Sequence, residues 1–183
     1  DGAYTQTEGV GAEVDPATLT TQEILAKVKA AGIVGLGGAG FPTHVKLAPK
    51  NPAAIKYVIA NGAECEPYIT CDDQLMRNYA DEIVGGLKIM LQLFPNAEGV
   101  VLIEENKPEA IAAVQKVCAN ENKIHVHPVH VKYPQGGERA IMDVVAGKHI
   151  KLGMLPADVG CVVDNVETVI SVYKAVILGR PVN

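Results

Sequence analysis

Short β-branched runs alternate with stretches of helical periodicity along this chain, and that alternation restricts it to a narrow set of folds. The runs at 55–60 (Ile-Lys-Tyr-Val-Ile-Ala) and 100–103 (Val-Val-Leu-Ile) are brief and apolar, as strands buried on both faces are. A third run at 124–131 contains Pro128, which cannot donate to a ladder and so belongs on a sheet edge. Helices are predicted at 20–32, from Pro42 to about 49, at 71–79 and 82–94, from Pro108, and at 138–146 and 166–178. Thr20 and Glu23 have capping-box spacing, and Ile111, Val114, Val117 and Cys118 share one helical face. Strands and helices in turn, with short connections, predict a three-layer α/β domain.

Composition narrows the partners. At 183 residues with 48% hydrophobic content, the chain can bury one full core. A net charge of −5 argues against a nucleic-acid backbone as the main partner. No apolar run reaches the roughly 20 residues that span a bilayer, and no signal peptide is evident. The four cysteines form no CxxC pair, so neither a zinc ribbon nor an iron–sulfur cluster is written in the spacing, and a reducing cytosol is expected. Residues 1–19 are small and polar and read as a flexible leading segment or linker, leaving 20–183 as the α/β domain. With no initiating Met, the chain reads as a piece of a longer polypeptide.

The stretch Gly35-Leu-Gly-Gly-Ala-Gly-Phe-Pro-Thr-His-Val-Lys46 carries the chemistry. Gly35, Gly37, Gly38 and Gly40 permit a tight turn and close approach to an anion, and a helix start beyond them offers free N–H groups. The spacing satisfies G-x-G-x-x-G, but only Ile33-Val34 precede it, too little for the strand a dinucleotide fingerprint needs. Phe41 sets a flat ring beside the hollow, and Lys46 can supply a point charge to a phosphate. A purely structural turn with a solvated lysine is the competing reading.

Three further segments are polar. Asn61-Gly-Ala-Glu-Cys-Glu-Pro67 follows a predicted strand, where α/β proteins place ligands. Its acids, Glu64 and Glu66, would repel phosphate and suit hydroxyls, amides or a ring N–H; a capped Asn-Gly turn is the alternative. Gly136-Gly-Glu138 and Asp164-Asn-Val-Glu-Thr168 each open a helix, and ordinary capping accounts for them equally well. His125, His127 and His130 gather near the third strand but read as surface histidines. Neither Cys65 nor Cys71 has a neighbouring histidine to activate it.

In this order, G-L-G-G-A-G-F-P-T-H-V-K (35–46), N-G-A-E-C-E-P-Y-I-T-C-D-D (61–73), G-G-E-R-A (136–140) and V-D-N-V-E-T (163–168) resemble the FMN- and NADH-binding domain of the Rnf electron-transport complex C subunit. That domain is itself similar to the 51-kDa subunit of respiratory complex I. The resemblance implies a three-layer α/β sandwich with a Rossmann-like parallel sheet. It further implies bound FMN, hydride transfer from NADH to the flavin with no protein nucleophile, and electrons passed to 4Fe-4S clusters lying outside this segment. By matching positions, Gly35, Gly37, Gly38, Gly40 and Lys46 would hold FMN phosphate and ribityl. Asn61, Glu64, Gly136, Asp164, Asn165 and Thr168 would address the flavin, and Phe41, Glu66 and Glu138 would face NADH. Implied partners are the other subunits of a membrane-bound complex and, through it, ferredoxin. The domain would be cytoplasmic and peripheral on the inner face of the membrane. Leu36, Ala63 and Gly137 stand where the complex I pattern carries an arginine and acids. That difference keeps open a docking domain without FMN, and an electron carrier for a cobalamin or amino-acid reductase is a related alternative in the same fold.

Overall fold

The computed structural model describes residues 13–36, 40–148, 151 and 153–181. The chain runs α1 (Thr21–Ala30), α2 (Thr43–Lys46), β1 (Tyr57–Gly62), α3 (Cys71–Asn78), α4 (Ala80–Leu91), β2 (Glu98–Glu104), α5 (Pro108–Cys118), β3 (Ile124–Val129), α6 (Glu138–Ala146), β4 (Cys161–Asn165) and α7 (Val166–Ile177). The expected capping box starts α1: the Thr20 backbone N–H donates to Glu23 Oε2 at 2.7 Å, and Thr20 Oγ1 accepts from the Glu23 N–H at 3.3 Å. Ile24 and Val28 are the residues it buries. Residues 1–12 of the leading segment lie outside the described residues. Within its remainder, Asp15 caps a short 3-10 turn over Pro16–Thr18, and the Val14 N–H donates to the Ile177 carbonyl.

All four strands are parallel, in the order β3-β2-β1-β4. β1, β2 and β3 step across the sheet in one direction. The connection through α6 then carries the chain back to set β4 on the free side of β1. A reversal of this kind opens a crevice at the carboxyl ends of the two strands that flank it. Here those strands are β1 and β4, and their last paired residues are Asn61 and Asn165.

The two faces of the sheet are covered unequally. Val58, Ala60, Val101, Ile103 and Val162 pack against α1, α3, α4, α5 and α7 in the main core. Ile59, Val100, Leu102 and Val163 face Ile141 and Met142 of α6 in a smaller one. The three-layer sandwich expected from the alternation is therefore present, with five helices against one. α4 and α7 approach so closely that a Cβ on Gly86 would lie 2.3 Å from the Val169 carbonyl oxygen.

Several boundaries differ from the sequence reading. β1 ends at Gly62, so Asn61 belongs to the strand and not to the loop after it. Pro42 is the N-cap of α2, and that helix ends at Lys46 after one turn. β4 is an addition to the strands read from the sequence: Cys-Val-Val-Asp-Asn holds only three apolar residues before its polar end and merges by eye into the helix that follows. As expected, β3 is an edge strand that contains Pro128.

Candidate functional site

The loop before α2 closes on itself at its base. The Gly35 N–H donates to the Phe41 carbonyl at 2.9 Å, and the Thr43 N–H to that of Ile33 at 3.0 Å. Val34 bridges Pro42 in antiparallel fashion. Gly40 has φ 63°, a left-handed conformation that suits glycine. Gly37 and Gly38 lie outside the described residues. The loop is tied to the first turn of α7, because the Leu36 N–H donates to the buried Thr168 Oγ1 at 3.1 Å. Phe41 is half-exposed (48%).

Lys46 reaches across to β4. Its ammonium donates to the Val163 carbonyl at 2.7 Å and to Asp164 Oδ1 at 2.9 Å. The Asp164 side chain is fully buried, and its Oδ2 has no partner. Burial pushes the Asp164 carboxyl up to about 6; Lys46 opposes that rise and the Glu138 charge adds to it.

Asn61 joins two loops. Its Nδ2 donates to the Gly136 carbonyl at 3.1 Å, and its Oδ1 accepts from the Ala63 N–H at 3.0 Å. The approach is close enough that a Cβ at Gly136 would lie 2.5 Å from the Ala63 oxygen. Asn165 caps α7 through the Glu167 N–H and donates Nδ2 to Asp72 Oδ2, both at 2.8 Å. Asp72 lies beyond the residues assigned from the sequence, although it stands in the T-C-D-D tail of a loop that carried the resemblance. Burial pushes its carboxyl up to about 6, the Asn165 bond works against this, and Glu64, Glu167 and Glu66 add to it.

Glu64 is buried and turned inward. It accepts from the N–H groups of Asp72 at 2.9 Å and Asp73 at 3.4 Å and from the Cys71 thiol at 3.2 Å, with the Lys107 ammonium at 3.5 Å. A carboxylate at the start of α3 satisfies helix-end donors and complements the helix dipole. The donor atoms of Glu64, Cys71 and Asp72 lie within 4.8 Å of one another, yet they make a helix cap and not a cation site. Lys107 already supplies the positive charge, and burial raises the Cys71 thiol away from the thiolate a metal needs. The histidines form no such group among the described residues; His130 instead pairs with Glu105 at 2.8 Å. Glu66 and Glu138 are exposed at the rim, Glu138 as the first residue of α6.

The carboxyl ends of β1 and β4 thus bring together Asn61, Asn165, Lys46 and the base of the glycine loop, with Glu66 and Glu138 exposed on adjoining segments. The model of the Nuo51 FMN-binding domain family matches residues 28–174, and the chain belongs to that family. It is 45% identical over 158 residues to the C subunit of the ion-translocating oxidoreductase complex of Pseudomonas aeruginosa, covering 86% of this chain and 20% of that one. To the C subunit of the Na(+)-translocating ferredoxin:NAD(+) oxidoreductase complex of Acetobacterium woodii it is 44% identical over 151 residues, covering 82% and 34%. To the proton-translocating counterpart of Clostridium ljungdahlii it is 42% identical over 181 residues, covering 99% and 39%. The resemblance to the Rnf family read from the four loops holds, and the chain spans 20% to 39% of the length of these relatives. An NAD+-reducing NiFe hydrogenase in its air-oxidised state superposes with a TM-score of 0.71 at 25% identity, over 88% of this chain and 30% of that one. The H2-reduced form gives 0.73 at 24% identity, over 89% and 32%. Among the described residues no helix is long and apolar enough to cross a membrane.

Proposed function

We propose that this chain binds FMN in the β1/β4 crevice, receives hydride from NADH there, and serves as the electron-entry domain of an Rnf-type ferredoxin:NAD oxidoreductase. The observation that carries the reading is the junction at the strand reversal, where Asn61 and Asn165 sit side by side. Lys46 and the Thr168-tethered base of the glycine loop reach β4 and the start of α7 beside it. The residues fit such a cofactor. Lys46 keeps 23% of its side chain exposed and Phe41 is half-exposed, so both can reach a bound cofactor. Membership of an FMN-binding family supports the same reading.

When bound, the flavin supplies the redox chemistry, accepting a hydride and releasing electrons singly. The chain's own residues bind and orient. Gly35, Gly37, Gly38, Gly40 and Lys46 would take the phosphate end. Asn61, Glu64, Gly136, Asp164, Asn165 and Thr168 hold the surrounding loops and helix ends in place, Asn61 and Gly136 by bonding to each other and the rest through Leu36, Lys46 and Asp72. Phe41 would stack against NADH, while Glu66 and Glu138 would meet its hydroxyl groups and repel the extra phosphate of NADPH. Clusters of the 4Fe-4S type, ferredoxin and the other subunits belong to the rest of such a complex, which would hold this domain at the inner face of the membrane.

Titration with FMN, followed by quenching of flavin fluorescence, tests the first step, and anaerobic addition of NADH tests the second. The reading expects saturable binding and loss of oxidised-flavin absorbance with NADH but not NADPH. A folded protein that leaves FMN fluorescence unchanged overturns it. One observation favours a docking domain instead: Val34, Leu36, Phe41 and Val45 expose apolar surface around the loop. That alternative predicts a folded protein with no flavin affinity.

A further inference from the structure

An ammonium has three N–H groups, and Lys46 spends two of them on β4, one on the Val163 carbonyl and one on Asp164 Oδ1. One donor is left for a ligand, on a side chain still 23% exposed. Behind it stands a carboxylate with no solvent access, which cancels the lysine's charge and keeps an oxygen, Oδ2, that no group satisfies. A lysine held this way is well aimed but electrically neutralised. Phosphate recognition gains from a net positive charge, so the pair as it stands is poorly charged for the anion the lysine is expected to hold.

Resting on the flavin reading above, we infer that Asp164 is a positioning residue that fixes the Lys46 ammonium against β4, and that phosphate binding at Lys46 draws a proton from solvent onto Asp164 Oδ2. An incoming phosphate brings negative charge beside the carboxylate, and like charges in a buried site cannot both remain ionised without cost. Oδ2 is the oxygen available for the proton, because Oδ1 already faces the lysine. Protonation removes the repulsion and returns the full charge of Lys46 to the phosphate. The carboxyl is already disposed to this, since burial has raised it to about 6. The charged groups acting on Asp164 are Lys46 from α2 and Glu138 from the start of α6, and Glu138 pushes in the same direction as the phosphate. Its neighbour across the ladder on β1 is Ala60, which carries no charge.

The linkage has a sign. A group that gains a proton on binding makes affinity fall as pH rises, by up to about tenfold for each unit by which the ligand raises its pKa. The test is FMN titration of wild type and Asp164→Asn across neutral pH, together with calorimetry of wild type in buffers of different ionisation enthalpy. Titration of the FMN phosphate itself is common to both proteins and cancels in the ratio of their dissociation constants. That ratio is expected to move about three- to tenfold in favour of Asp164→Asn as pH rises from about 6 to about 8, and wild type should take up protons on binding. A ratio that stays constant with pH, or no net proton uptake attributable to the protein, overturns the inference while leaving the flavin reading intact. Failure of wild type to bind FMN at any pH removes both. The calorimetric arm uses wild type alone, so a misfolded Asp164→Asn does not shield the inference.

Discussion

Replacing Glu64 by alanine should unlatch the start of α3, and the cost can be worked from the contacts. The carboxylate receives one short bond from the Asp72 N–H at 2.9 Å, a long one from Asp73 at 3.4 Å, and the Lys107 ammonium at 3.5 Å, while the Cys71 thiol at 3.2 Å, a weak donor, adds little. Hydrogen bonds to a charged group contribute about 1.5–3 kcal/mol each when well formed. One good bond and two long ones then give about 3–4 kcal/mol, in the range found when one partner of a buried ion pair is removed. Part of this is returned, because the Glu64 charge also raises the nearby carboxyls of Asp72 and Glu104. Glu64→Gln keeps an acceptor for the Asp72 N–H and loses the attraction to Lys107, so about 1–2 kcal/mol is expected. Urea unfolding at constant m-value reads both numbers, and amide exchange over Cys71–Asn78 locates the loosening. If Glu64→Ala unfolds within about 0.5 kcal/mol of wild type, the capping role is refuted.

Three other outcomes are expected. Gly86→Ala should destabilise by about 1–3 kcal/mol despite the gain in helix propensity, because its Cβ meets the Val169 backbone at 2.3 Å. Gly85→Ala meets only the Tyr173 ring, which can turn aside, so thermal melts should place it well above Gly86→Ala. Asp72, raised in the fold from 3.8 to about 6, carries a penalty absent below the lower value and complete above the higher. The stability advantage of Asp72→Asn should therefore grow by up to about 3 kcal/mol across that window and then level off; an advantage independent of pH contradicts it. Phe41→Ala should raise the apparent KM for NADH several-fold with FMN affinity unchanged, and equal kinetics in the two proteins would remove the stacking role.

What the sequence could disclose depended on how local each feature is. The capping box of α1, the face of α5 and the proline on β3 are each determined within a few residues, and all were legible. β4 was not, because five residues with a polar tail leave too short a run to separate from the helix that follows. The site residues were recognisable as types, while their geometry was not. Lys46 and Asp164 stand 118 positions apart, and only the strand reversal brings them together. Glu64 looked like a ligand-facing acid, yet it turns inward to a helix whose own N-cap residue, Thr70, makes no side-chain cap bond. Lys107 carried no signal of its own, and Asp72 only its place in a resembling loop, since each takes its role from Glu64 or Asn165, distant in sequence.

The edge strand β3 has a consequence for neighbours of this domain. Pro128 lacks an N–H, so the outer rim of the sheet has a gap in its row of donors, and a strand arriving from another molecule would find its ladder broken at that step. Lateral growth, sheet onto sheet, is thereby discouraged on that side. That flank of the domain resists sticking while the rest of its surface stays available.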